Sequence, residues 1–219
     1  MSFDLRVVDD PAGAAAELLA EAAVAGAHVA LSGGGTVGRA HEAAARLRPD
    51  WRGVHVWWGD DRAVPPDDER SNYRLARETL LDTLAAPPEV HPIRGELGAE
   101  EAARLYDAEL GAVELALALN GIGADGHTAS LFPRSPALAE TERRAVAAEA
   151  GLEPFVPRVT MTPVVFSRAG VLLYLVSGES KAEAVRRAFA EPASAETPAS
   201  LVRGRTTIAL LDAAAASLL

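Results

Sequence analysis

Short apolar runs alternate with alanine-rich segments of helical spacing from one end of the chain to the other, and few architectures accept that order. The runs are Leu5 to Val8, His28 to Leu31, Val54 to Trp58, Val113 to Leu119, Gly170 to Val176 and Thr206 to Leu211. A short strand is expected around His91 to Ile93 and an edge strand at Ala145 to Ala148. Helix signals lie between them: Pro11 to Ala25, Thr36 to Leu47, a segment capped by Ser71-Asn72, Glu100 to Leu110, a helix through Val164 and Val165, and one opened by Ser177 to Lys181. Parallel strands need such crossovers. The predicted fold is therefore α/β, a three-layer αβα arrangement around a mostly parallel, doubly wound (Rossmann-like) sheet. At 219 residues, 49% of them hydrophobic and with no visible linker, residues 1–219 are expected to form a single domain.

Charge and composition narrow the partners. A net charge of −10 disfavours nucleic acid and anionic membranes, which need a basic footprint, so an anionic ligand must be met by local cations. The absence of cysteine excludes disulfides, thiolate metal sites and thiol catalysis. The N-terminus lacks a basic segment followed by an apolar one, and no stretch is apolar enough over a bilayer's width. A cytoplasmic protein working as a monomer is expected.

Three loops at strand ends carry the chemistry. Gly121-Ile122-Gly123-Ala124-Asp125-Gly126-His127 follows the run ending at Leu119 and continues to Pro133; it reads as strand, backbone-rich turn and new helix. Its glycines let the main chain approach a ligand, and Asp125 and His127 supply an acid and a base. Ser32-Gly33-Gly34-Gly35-Thr36 lies between a strand and a helix, where free amides at the positive end of the helix form a candidate phosphate cradle. It has neither the ending of a Walker loop nor the full dinucleotide fingerprint. After Trp58, Gly59-Asp60-Asp61-Arg62 places charges at the same sheet edge. Arg62 is a candidate anion ligand, whereas Asp60 and Asp61 read as solvated loop residues or salt-bridge partners of Arg62, slightly ahead of a direct part in the chemistry. Ser71 and Asn72 read as helix caps.

Lys181 is the only lysine among 21 basic residues. A cation in the first turn of a helix is electrostatically misplaced unless an anion pairs with it there.

Together these stretches resemble the 6-phosphogluconolactonase family. The matching pieces are Leu31 to Thr36, Trp58 to Pro65 with Ser71-Asn72, the loop Gly121 to Pro133, Arg158-Val159-Thr160-Met161-Thr162, and Gly178-Glu179-Ser180-Lys181-Ala182, in the family's order over nearly the whole chain. The ending His127-Thr128-Ala129-Ser130-Leu131-Phe132-Pro133 is the most specific; the related glucosamine-6-phosphate deaminases share the core of the loop but continue differently. Five positions, at three places, depart from the pattern. Asp61 stands where glutamate is usual and Val37-Gly38 where a proline is often found. Phe166-Ser167 replaces a common leucine-asparagine, which removes the basis for an asparagine contact from that helix.

The resemblance implies hydrolysis of 6-phospho-D-glucono-1,5-lactone to 6-phospho-D-gluconate in the oxidative pentose phosphate pathway, without a cofactor, and the chemistry of so activated an ester requires no metal. It implies His127 as general base, Arg62 and Lys181 as phosphate ligands, and Ser32, Gly33, Gly34, Gly35, Thr36, Asp60 and Arg158 as further substrate or phosphate contacts. Asp125 either orients the imidazole or binds sugar hydroxyls. A δ-lactone is an activated ester, so a positioned base and some oxyanion stabilisation are enough for hydrolysis, and an imidazole titrates in the right range. The alternatives are a sugar-phosphate isomerase or deaminase of related fold, against which the Ser130 to Pro133 ending argues, and a non-catalytic sugar-phosphate sensor, which would usually carry an attached DNA-binding unit.

Overall fold

The structure, a computed structural model, describes residues 2–151 and 153–219. Seven parallel strands form the central sheet: β1 (Ser2–Val7), β2 (His28–Leu31), β3 (His55–Trp58), β5 (Glu89–Val90), β6 (Leu117–Asn120), β9 (Val171–Val176) and β10 (Thr206–Leu211), in the order β1-β10-β9-β6-β2-β3-β5. Between β3 and β5 the chain forms β4 (Asp60–Arg62), which pairs antiparallel with β8 (Arg158–Met161), itself paired with β7 (Ala145–Ala148) in a separate three-stranded sheet. The helices are α1 (Pro11–Ala22), α2 (Gly35–Leu47), α3 (Asn72–Thr79), α4 (Ala99–Leu110), α5 (Pro163–Phe166), α6 (Ala182–Phe189) and α7 (Pro198–Leu201). They flank the sheet in the three-layer arrangement that the alternation predicts.

The strand order explains where a ligand can sit. From β2 the chain winds outward through β3 to β5, then returns to the other side of β2 with β6 and winds the opposite way through β9 and β10. The loops leaving β2 and β6 therefore diverge at neighbouring strand ends, and a crevice opens between them.

Burial follows from topology. All four residues of β6 are buried, as are the last five of β9 and of β10, because helices cover both faces of a parallel sheet. Trp51, Trp58, Tyr106, Tyr174 and Phe166 are the bulkiest fully buried side chains besides Trp57. Since β5 is only two residues long, the end of β3 lacks a strand partner on that side. The Tyr106 hydroxyl of α4 substitutes for one, accepting from the Trp58 amide at 2.8 Å and donating to its carbonyl at 3.0 Å.

Local signals set the helix ends. Asp10 accepts from the Gly13 amide at 3.1 Å ahead of Pro11, and Ser71 caps α3 by accepting from the Arg74 amide at 3.2 Å. Three expectations need correction. No helix follows the Gly121 to Pro133 loop: Ala129 adopts φ +50° and Arg134 φ +57°, Thr128 bridges to Leu131, and only a short 3₁₀ turn, Pro136–Ala139, comes next. Left-handed residues and prolines leave no room for a helical turn there. The strand expected at His91 to Ile93 lies at Glu89–Val90, and the residues expected as a loop after Gly59 form β4. No helix among the described residues is long and apolar enough to cross a membrane.

Candidate active site

At the crevice between β2 and β6 lies a cavity of about 300 Å³. Ser32, Gly33 and Gly34 line it from β2; Asp60, Arg62 and Asn72 from the β3 side; Gly121, Ile122, Gly123, His127 and Ala129 from β6; and Lys181 from the start of α6. Gly35 and Thr36 face an adjoining cavity of about 260 Å³, which also borders on Gly33, Gly34, Gly121, Ile122 and Lys181. Gly34 caps α2 with φ +107°, a conformation that side-chain-bearing residues rarely adopt, so the first amides of α2 are presented at the crevice.

His127 is held by its own loop. Its Nδ1 lies 2.6 Å from Oδ1 of Asp125, which also accepts the His127 backbone amide at 3.1 Å. With Nδ1 donating to that carboxylate, the imidazole presents the bare Nε2 lone pair. Its ring tilts against Phe132, with centroids 4.8 Å apart. A Cβ at Gly126 would meet Cγ2 of Thr197 at 2.9 Å, and φ there is +95°, so this turn of the loop requires glycine. Burial pushes the Asp125 carboxyl up, but the hydrogen bonds and charge of His127 outweigh it and hold the group below the ordinary carboxylate range.

The cations enter from opposite sides. No carboxylate lies within ion-pairing distance of Lys181 or of Arg62 among the described residues. Nη1 of Arg62 donates to the Arg70 carbonyl at 2.8 Å and to Oδ1 of Asn72 at 2.6 Å, while its Nε is buried without a partner. Arg158 is the antiparallel register partner of Arg62. It stands behind Arg62 rather than in the cavity lining; Nη2 donates to the Pro154 carbonyl at 3.0 Å, and Nε and Nη1 are buried without partners. Burial, with Arg62 adjacent, lowers its pKa, against the attraction of Asp60 and Asp61.

The two aspartates are not solvated loop residues, and neither forms a side-chain salt bridge with Arg62. Asp60 is buried and accepts from the Ser130 hydroxyl at 2.6 Å. Asp61 turns toward α3, where it accepts the amides of Arg62 and Asn72 at 2.7 Å each, the Tyr73 amide at 3.0 Å and the Ser71 hydroxyl at 3.0 Å. Burial pushes its pKa up to about 6, against the backbone amides that favour the anion. Asp60, Asp125 and His127 do not converge on a common metal position among the described residues.

Asn72, read from the sequence as a helix cap, lines the cavity instead. Beyond its place at the start of α3, it donates to the Asp60 carbonyl at 2.9 Å, and a Cβ at Gly33 would stand 1.9 Å from its Oδ1. The glycine loop and α3 thus fit together only because Gly33 has no side chain. An asparagine beside a serine cap carries no local sign of that contact.

The sequence pattern of the family described as glucosamine-6-phosphate isomerases/6-phosphogluconolactonase matches residues 6–210. The chain is 37% identical over 243 aligned residues to a 6-phosphogluconolactonase of Mycobacterium leprae, covering 99% of this chain and 98% of that protein. It is 35% identical over 204 residues to that of Haemophilus influenzae, covering 88% and 87%. Among solved structures, 6-phosphogluconolactonase from Trypanosoma cruzi superposes with a TM-score of 0.87 at 26% identity, over 100% of this chain and 98% of that one. A monomeric glucosamine-6-phosphate deaminase gives the same TM-score at 20% identity, a likeness of fold alone. Matched along nearly its whole length, with the glycine loops and the acid–histidine pair meeting at one crevice, the chain belongs to the glucosamine-6-phosphate isomerase/6-phosphogluconolactonase family.

Proposed function

We propose that the chain hydrolyses 6-phospho-D-glucono-1,5-lactone to 6-phospho-D-gluconate, with His127 as general base. The observation that carries this reading is the Asp125–His127 pair: Nδ1 is engaged at 2.6 Å, so the other ring nitrogen serves a cavity that also contains Arg62 and Lys181. The lactonase names of the relatives support the substrate.

In the proposed reaction the phosphate lies between Lys181 and Arg62, with the amides at the start of α2 beside it. Arg158 adds positive charge from behind Arg62. Nε2 of His127 takes a proton from water, and the resulting hydroxide adds to C1 of the lactone. Backbone amides of the glycine loops stabilise the oxyanion. Collapse breaks the bond from C1 to the ring oxygen, which receives the proton back from His127. The new carboxylic acid then ionises. Asp125 acts by orienting the ring and supporting its cationic form. The proposal includes action as a monomer in the cytoplasm.

The test is proton release on adding freshly generated lactone, with the spontaneous rate subtracted. Catalysed release from the phosphorylated lactone is expected. No catalysis, or turnover of glucosamine 6-phosphate instead, would overturn the assignment.

A further inference from the structure

The opposite edge of the sheet gathers three of the chain's five histidines. His28 and His55 open β2 and β3 as register partners, and His55 pairs in turn with Glu89 at the start of β5. His91, two residues past Glu89, returns to the same face. We propose that Nδ1 of His55, Nε2 of His91 and the carboxylate of Glu89 form a binding site for a divalent transition-metal ion of the zinc class.

The spacing fits such an ion. His55 Nδ1 lies 3.1 Å from His91 Nε2 and 3.5 Å from Glu89 Oε2, and the three ligand atoms all lie within 4.8 Å of one another. Tetrahedral zinc with bonds of about 2 Å holds its ligands roughly 3.3 Å apart. Two imidazoles and a carboxylate are donors that zinc accepts, and with His55 and His91 half-buried and Glu89 exposed, a fourth position is open to water.

The surroundings orient the ligands. Oε1 of Glu109, from α4, lies 2.7 Å from His91 Nδ1, so Nδ1 carries the proton and Nε2 presents a lone pair. The His91 ring stacks on Trp57 at 3.9 Å with 5° between the planes. His28 stacks on His55 at 4.4 Å and uses its Nδ1 to accept from the Trp57 indole at 3.0 Å, so it forms a wall of the site rather than a ligand. Asp60 lies five residues beyond His55, roughly 15 Å along an extended chain, so the metal would not touch the catalytic cavity.

The full chain, stripped with a chelator, would be titrated with zinc chloride by calorimetry and with cobalt chloride by visible absorption. One equivalent should bind, with a tetrahedral cobalt spectrum. His55→Ala and His91→Ala should each weaken zinc binding at least about ten-fold, and Glu109→Gln by about ten-fold to a hundred-fold. Because Glu89 is exposed, Glu89→Gln tests the site without disturbing the fold, and it too should weaken binding. His127→Ala should leave zinc affinity unchanged, and His55→Ala should leave lactone turnover unchanged. No saturable binding to the wild type, affinity indifferent to both His55→Ala and Glu89→Gln, or zinc binding lost in His127→Ala would each overturn the proposal.

Discussion

The Cβ that Gly123 lacks would stand 2.1 Å from Nδ1 of His127 and 2.6 Å from Oδ1 of Asp125. The pair occupies the volume of a missing side chain, so the glycine is part of the geometry that aims the imidazole. Gly123→Ala must push the ring or the carboxylate away, and should lower the lactonase rate by about 10²–10⁴, as His127→Ala should. Steady-state kinetics beside a thermal melt would check this. A His127→Ala variant that folds normally and keeps more than about a tenth of the rate would show that another group is the base, and the same result for Gly123→Ala would show that the ring need not stand where the missing Cβ leaves room.

Removing the Lys181 ammonium should act mainly on binding. A charge-assisted hydrogen bond contributes about 1.5–3 kcal/mol, so Lys181→Ala should raise KM by about ten-fold to a hundred-fold. Lys181→Arg should recover only part of this, because a planar fork does not fill the place of a compact ammonium. Unphosphorylated glucono-δ-lactone is the control. Equal impairment on both lactones would remove Lys181 from the phosphate site.

Asn72 aims Arg62 through a 2.6 Å hydrogen bond from Nη1 to Oδ1. Asn72→Ala should therefore raise KM for the phosphorylated lactone by about ten-fold, with a smaller change in kcat. A fall confined to kcat would mean that the residue serves the reacting end of the substrate instead.

His41 makes stability depend on pH. It is fully buried in α2, with Nδ1 3.2 Å from the Thr79 hydroxyl and Nε2 without a partner, and burial lowers its pKa from 6.5 to about 4. Between those values the unfolded chain binds a proton that the folded chain refuses. This contribution to stability is therefore full above pH 6.5 and declines as the pH falls toward 4, by about 2–3 kcal/mol at pH 4.5. Asp61, with its raised pKa, works in the opposite direction over part of the interval. Urea melts of wild type and His41→Gln at pH 7 and 4.5 separate the two. The variant should lose less stability on acidification, and identical losses would exclude His41 as the source.

Much of the frame was legible because it rests on local signals. The alternation of apolar runs and alanine-rich segments announces the parallel sheet, and the loop Gly121 to His127 carries both partners of the Asp125–His127 hydrogen bond within three residues. Lys181 stood out for being the chain's single lysine. What escaped depends on distant pairing. Asp60-Asp61-Arg62 has no apolar alternation, and becomes β4 only because β8, nearly a hundred residues later, lies beside it. The same pairing buries Arg158 behind Arg62, a relation that no spacing along the chain expresses. Asn72 looks like part of a cap, but Ser71 alone caps α3, and the Asn72 amide instead fills the space above Gly33.

The reversal of winding between β2 and β6 divides the proposed reaction between two structural inheritances. The chain between β3 and β5 contributes Arg62 and Asn72, whereas the segments after β6 and β9 contribute His127, with Asp125 beside it, and Lys181. The segment after β3 can thus be remodelled to suit a longer or differently charged sugar acid while the proposed base stays in place. Such an enzyme can change what it accepts without relearning how to cut it.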